Sequence, residues 1–174
     1  MGDLSASPGQ GKREAGFTLI ELLVVLVIIG VMLGLIGVQL MPDDRSALRE
    51  EAQRLALLLE NAGLEARAGG HSLGWSYDQG SNQSNYRFWI KNEYGDWVPN
   101  DDAIFRQRAL PSGTYIEAVN VEAQPLQAGE QMLLPAASFP LPFSIRLRNE
   151  RANASITGSS TGTVSVKLDG GSGS

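Results

Sequence analysis

Apolar residues crowd into one block near the start of the chain, between Phe17 and Met41, and later thin out into periodic patterns. No charged residue occurs from position 22 to position 42. A helix over residues 17–40 would be about 36 Å long at roughly 1.5 Å per residue, enough to cross a hydrocarbon core of about 30 Å. The competing assignment for such a run is a fully buried helix of a soluble protein, for which a domain of this size offers little room. Pro42 removes a backbone donor and crowds the preceding turn, so it should kink or interrupt the helix. Beyond it, Asp43, Asp44 and Ser46 supply capping groups and favourable charge for a restarted helix. Leu48, Ala52, Leu55, Ala56, Leu59 and Ala62 then recur at helical spacing, with Arg49, Glu50, Gln53, Arg54 and Glu60 mostly off the stripe. Gly69-Gly70 should stop this amphipathic helix. Its stripe has two assignments, packing on its own domain or facing neighbouring subunits, and the first is the simpler.

From His71 onward the period changes to two. Leu73, Trp75 and Tyr77 alternate, as do Tyr86, Phe88 and Ile90, then Ile145 with Leu147, and Val164, Val166 and Leu168. Ile116 with Val119 and Val121 fits the alternation poorly. Turn-forming stretches separate these runs at residues 78–82, 93–96, 111–113 and 158–162. The pattern predicts an α+β protein in which a long N-terminal helix, half apolar all round and half amphipathic, precedes an antiparallel two-sheet β-sandwich. The domain boundaries this implies are residues 17–41, 42–69 and 70–169, with residues 170–174, only Gly and Ser, as a flexible tail.

The first 40 residues admit three assignments: a cleaved secretory signal, a plain signal-anchor, or a processed leader ahead of a membrane helix. A secretory signal has a shorter apolar stretch and small residues at its cut; residues 37–42, Gly-Val-Gln-Leu-Met-Pro, offer no such pattern. Lys12 and Arg13 before the block and Asp43 and Asp44 after it place the N-terminus in the cytoplasm and the bulk of the chain outside. Glu21 separates the remaining two. A carboxylate four residues into an apolar run is expensive in hydrocarbon, on the order of a few kcal/mol. Either it snorkels to water at the membrane interface, or a cut before Phe17 sets a free α-amine one helical turn away to neutralise it. Gly30 and Gly34, with Gly37 beyond, would let helices approach closely.

The string Gly16-Phe17-Thr18-Leu19-Ile20-Glu21-Leu22-Leu23-Val24-Val25-Leu26 resembles the processing signature of type IV prepilins and type II secretion pseudopilins. The resemblance implies that a membrane-embedded prepilin peptidase cuts between Gly16 and Phe17, leaving residues 1–16 as a leader, and N-methylates Phe17. It implies that Glu21 aligns an incoming subunit by pairing with the terminal amine of one already assembled. One departure is that the leader carries Asp3 and Glu14 beside Lys12 and Arg13, so its net charge is near zero.

Within that superfamily the remaining chain resembles the GspH/FimT family, the minor pseudopilin H group of type II secretion. The likeness lies in Glu51-Ala52-Gln53-Arg54-Leu55-Ala56-Leu57-Leu58-Leu59-Glu60, in Tyr86-Arg87-Phe88-Trp89 followed by Gly95-Asp96-Trp97-Val98-Pro99, in Arg108-Ala109-Leu110-Pro111-Ser112-Gly113, and in Thr157-Gly158-Ser159 with Gly162-Thr163-Val164-Ser165-Val166. It implies a two-sheet sandwich on a long helix and a place near the filament tip, between the major pseudopilin shaft and the capping subunits. The implied partners are the prepilin peptidase, the major and other minor pseudopilins, inner-membrane lipid before assembly, and secreted substrates. The implied location is the bacterial inner membrane, single-pass with the domain in the periplasm, then the periplasmic pseudopilus. Two other assignments stay open: a minor pilin of a type IV pilus, and a membrane-tethered periplasmic binding module.

Composition removes other classes. The net charge of −5 argues against a nucleic-acid partner, which needs clustered Lys and Arg. With no cysteine and one histidine, His71, thiol chemistry, disulfides and most zinc sites are excluded. No nucleophile elbow, phosphate loop or His-based acid–base pair is present, so an enzyme and a bound cofactor are not expected. Asp101-Asp102 and the oxygen-rich residues 78–85 read as solvated loops rather than a calcium site. His71 reads as a surface or turn residue. Trp75, Trp89 and Trp97 read as packing rather than a ligand platform.

Overall fold

The apolar block folds into α1, Leu19–Gln39, and the amphipathic stretch into α2, Asp44–Gly69. The computed structural model describes residues 19–39 and 44–170, in two compact units that divide between Met41 and Pro42. The leader, the Gly16–Phe17 cut site, the break at Pro42 and residues 171–174 of the tail lie outside the described residues.

α2 ends where the glycine pair predicts. Gly70 has a φ of 67°, the left-handed conformation that closes a helix without the penalty a Cβ would bring. Every residue of the predicted stripe is buried, and the stripe extends to Ala66. Sheet 1 contains β1 (Leu73–Gln79), β2 (Ser84–Lys91), β3 (Trp97–Pro99), β4 (Arg108–Ala109) and β7 (Met132–Leu134). Sheet 2 contains β5 (Tyr115–Val121), β6 (Gln124–Pro125), β8 (Phe143–Arg148), β9 (Ala152–Gly158) and β10 (Val164–Gly170). The strand orders are β3-β2-β1-β7, with β4 also on β2, and β10-β9-β8-β5-β6, with all pairings antiparallel.

Trp75, Tyr77, Tyr86 and Phe88 of sheet 1, Ile116, Val119, Ile145, Leu147 and Ile156 of sheet 2, and the α2 stripe form one core. α2 lies chiefly against β9 and β10, where Ala152 and Ala154 leave room for a helix to come close. Ser84 joins the sheets: its buried hydroxyl accepts the Ile116 amide at 3.0 Å, and its backbone amide donates to the Thr114 carbonyl at 3.2 Å. The poor alternation near Ile116 has a structural cause. The pairing of β5 with β8 shifts between Ile116 and Ala118, so a bulge at Glu117 lets Ile116 and Val119 both face the core.

Glu51, absent from the predicted stripe, is 5% exposed within it. A carboxylate there needs partners, and it has two: Arg54 Nη1 donates at 3.0 Å and the Tyr86 hydroxyl at 3.3 Å. The second bond ties sheet 1 to α2. Burial, followed by the charge of Glu51 and its hydrogen bond, raises the Tyr86 pKa well above the ordinary 10.0, against opposing pulls from Arg108 and Arg54. Below pH 10 the hydroxyl is protonated in folded and unfolded chains alike, and the bond contributes fully. As pH rises further the unfolded chain ionises first, and that contribution is lost. Tyr86→Phe should therefore cost about 1–2 kcal/mol at pH 8, and its deficit relative to the parent should narrow above pH 10. Thermal melts across pH 8–11 check this; a deficit that widens with pH would refute the assignment.

Candidate functional site

Of the residues singled out in the sequence, Glu21 is described and occupies the first turn of α1, where the unsatisfied amides of a helix N-terminus favour negative charge. Gly16 and Phe17 lie outside the described residues. Along residues 19–32 the large apolar side chains are exposed on every side of the helix, from 44% at Val25 to 87% at Leu19. A soluble helix hides one face; this one has no polar face to show to water except Glu21. A Cβ built on Gly30 would meet nothing within 4 Å, so nothing around it in the described chain demands glycine there. Among the described residues no helix is long and apolar enough to cross a membrane.

In the second unit, the stripe of α2 packs on its own domain. The outer face of the same helix keeps Leu57 and Leu64 60% and 53% exposed. They are seven residues apart and so share a face, a signal legible in the sequence but masked by the stronger stripe. A second feature lies where Leu59, Gly63 and Arg67 of α2 meet Leu134, Phe143, Gly158 and Val164 at the margin between the sheets. This groove encloses only about 20 Å³, room for one water. Its floor depends on Gly158, since a Cβ there would overlap the Phe143 ring. No sequence signal marks the groove, because it is assembled from segments about 100 residues apart.

The other candidates are dispersed. His71 follows α2 and donates through Nδ1 to the Gly69 carbonyl at 3.0 Å, a helix-end contact. Asp102 accepts the Ile104 amide at 2.9 Å, an ordinary loop bond. Among the described residues no three His, Asp or Glu side chains gather as a metal site. The three tryptophans part company. Trp75 is in the core, stacked on Tyr77 at 5.9 Å, whereas Trp89 and Trp97 lie half-buried on the opposite face of sheet 1.

Residues 11–37 match the family model described as the prokaryotic N-terminal methylation motif. No curated protein matches the chain. Among solved structures, the minor pseudopilin EpsH from the Type 2 Secretion System of Vibrio cholerae superposes on 72% of this chain and 98% of its own, with a TM-score of 0.52 and 14% identity. The chain therefore carries a prepilin-type N-terminal motif ahead of an α+β fold shared with a minor pseudopilin.

Proposed function

We propose that this chain is a minor pseudopilin of a type II secretion system. It is processed between Gly16 and Phe17, held in the inner membrane by its apolar helix, and docked by that helix into a periplasmic pseudopilus near the tip. The observation that carries the proposal is a conjunction. The methylation motif covers residues 11–37, and the unit after it has the fold of EpsH. Either alone would fit several filament proteins. A minor pilin of a type IV pilus would share the N-terminal motif; the likeness to EpsH favours the secretion filament.

The physical roles follow from the sequence and the geometry. The uncharged run from position 22 to position 42 is stable in lipid before assembly and against other apolar helices after it. The second unit stays in the periplasm, since its apolar residues are spent on an internal core. Work on exported proteins would then be mechanical: the subunit moves with the filament, and no bond is made or broken on it. Genetic complementation is the discriminating experiment. A strain lacking this gene should lose export of folded proteins and keep pilus-dependent motility; the reverse pattern would assign the chain to a pilus.

Processing gives a separate test. The membrane form should begin at Phe17 and carry one extra methyl group on its amine. Gly16→Ala should be cut normally or only mildly more slowly, and Gly16→Lys should accumulate uncut, since the peptidase must close around a small residue. N-terminal sequencing with intact-mass measurement reads all three. A mature chain beginning elsewhere, or normal cutting of Gly16→Lys, would remove the assignment.

A further inference from the structure

α2 is held to its domain in two different ways along its length. From Leu48 onward the apolar stripe is buried. Ahead of it, residues 44–46 are exposed and Ala47 is half-buried, so hydrophobic packing does not fix the first turn. An open cleft of about 420 Å³, bounded by Asp44, Ala47, Pro111, Thr114 and Glu150, flanks that turn. Two polar contacts reach it, both from the turn between β8 and β9. The Asn149 Nδ2, 105 residues further along the chain, donates to the Asp44 carbonyl at 2.7 Å. The Arg151 Nη1 pairs with the Asp44 Oδ2 at 3.0 Å.

Asn149 also builds the turn that carries it. Its Oδ1 accepts the Arg151 amide at 3.0 Å and the Ala152 amide at 2.8 Å, and its own amide donates to the Ala152 carbonyl at 3.0 Å. Those bonds fix which end of the side-chain amide faces α2, since only the NH2 end can donate to a carbonyl. The atom it grips is the one on which the α2 ladder begins, because the first intrahelical bond runs from the amide of residue 48 to the carbonyl of residue 44. The grip is light. The side chains of the ion pair are 69% and 51% exposed, so water weakens their attraction. A turn without packing, held by light contacts, opens locally at less cost than the whole domain unfolds.

We propose that the β8–β9 turn is a releasable clasp on the first turn of α2. Closed, Asn149 and Arg151 keep residues 44–47 helical. Open, those four residues unwind while the helix from Leu48 stays seated. Opening stops there, because Leu48 is 0% exposed and Glu51, one turn further on, is bonded to Tyr86 of sheet 1. A residue passing from helix to extended chain gains roughly 1.8 Å, so opening lengthens the connection that leaves the domain toward Pro42 by about 7 Å. The clasp thereby sets how closely the domain is tethered to the chain before it. The inference does not use the filament assignment.

Amide hydrogen exchange on the full-length chain in neutral detergent micelles reads the clasp. Unwinding residues 44–47 frees the amides of residues 48–51, which bond to their carbonyls. Asn149→Asp keeps the acceptor that orders the turn but replaces the donor to Asp44, and Arg151→Gln removes the ion pair. In the double variant, exchange at residues 48–51 should quicken by roughly tenfold, with residues 55–66 and strands β8 and β9 within about twofold. Arg146→Gln with Arg148→Gln, which breaks the pairs to Glu117 elsewhere on β8, should leave residues 48–51 within about twofold. If the first double variant is unfolded by circular dichroism, Arg151→Gln alone should quicken residues 48–51 by roughly threefold. Unchanged exchange at residues 48–51 would overturn the proposal, since other contacts would then hold the turn. Equal quickening throughout α2 and sheet 2 would overturn it too, by making the two contacts part of the global stability.

Discussion

Trp75→Ala should lower the stability of the folded domain by about 3–5 kcal/mol, the usual cost of emptying a large aromatic site in a core. Trp75 is 0% exposed, enters the core from β1 of sheet 1, and stacks on Tyr77. In a domain of this size the loss corresponds to a melting point lower by roughly 10–20 °C. Trp75→Phe should cost far less. Among the described residues the indole Nε1 is buried with no hydrogen-bond partner, a situation that costs on the order of 1–3 kcal/mol. Phenylalanine removes that unmet donor while keeping most of the ring contact. The two variants thus separate volume from polarity at one position. Thermal melts of both decide the matter: an alanine variant melting within a few degrees of the parent would show that Trp75 is not central to the core.

Much of this architecture was legible in the chain because period and punctuation agreed. The α2 stripe, its stop at Gly69-Gly70 and the alternation in β2, β8 and β10 match the observed burial, whereas β1 is buried on both faces from Leu73 to Tyr77 because Trp89 covers Gly74 and Ser76 from outside. β9 was not legible, since its inward residues are Ala152, Ala154 and Ile156, and alanine carries no strand signal. The helix packed against that sheet is what makes small residues the right ones there. Glu51 was misleading for a related reason: a charged residue reads as exposed until the partners Arg54 and Tyr86, the latter 35 residues away, are in view. The tryptophans fit packing only in part. Strand parity alone sends Trp75 inward and Trp89 outward, but nothing in the sequence places Lys91 over Trp97. At the N-terminus the position was reversed. The apolar run, Glu21 and the small residue before Phe17 spoke for a processed filament subunit from sequence alone, because that chemistry is local and needs no fold to be recognised.

Glu21→Leu should leave the chain inserted and processed yet unable to join the filament. The motif matched at residues 11–37 includes Glu21, which falls in the first turn of α1. Replacing it with leucine makes the helix more apolar, so insertion is not impaired, and the substitution is four residues beyond the newly formed end, so cutting should proceed. On the proposed function, what disappears is the acceptor for a neighbour's methylated Phe17 amine. A hydrogen bond to a charged group is worth about 1.5–3 kcal/mol, which converts to roughly 10- to 100-fold in an association constant. The leftover amine, buried against apolar helices, adds a desolvation cost that nothing offsets. Glu21→Asp should fall between, since its shorter arm carries the same charge but reaches the amine less well. Crosslinking or co-purification with the major filament subunit measures incorporation, with cleavage at Phe17 and membrane fractionation as controls for the earlier steps. If the leucine variant is incorporated at the parent's level, then Glu21 acts only as an interfacial side chain and the alignment role is wrong; if it is cut and inserted but absent from filaments, that charge pairing is what admits the subunit.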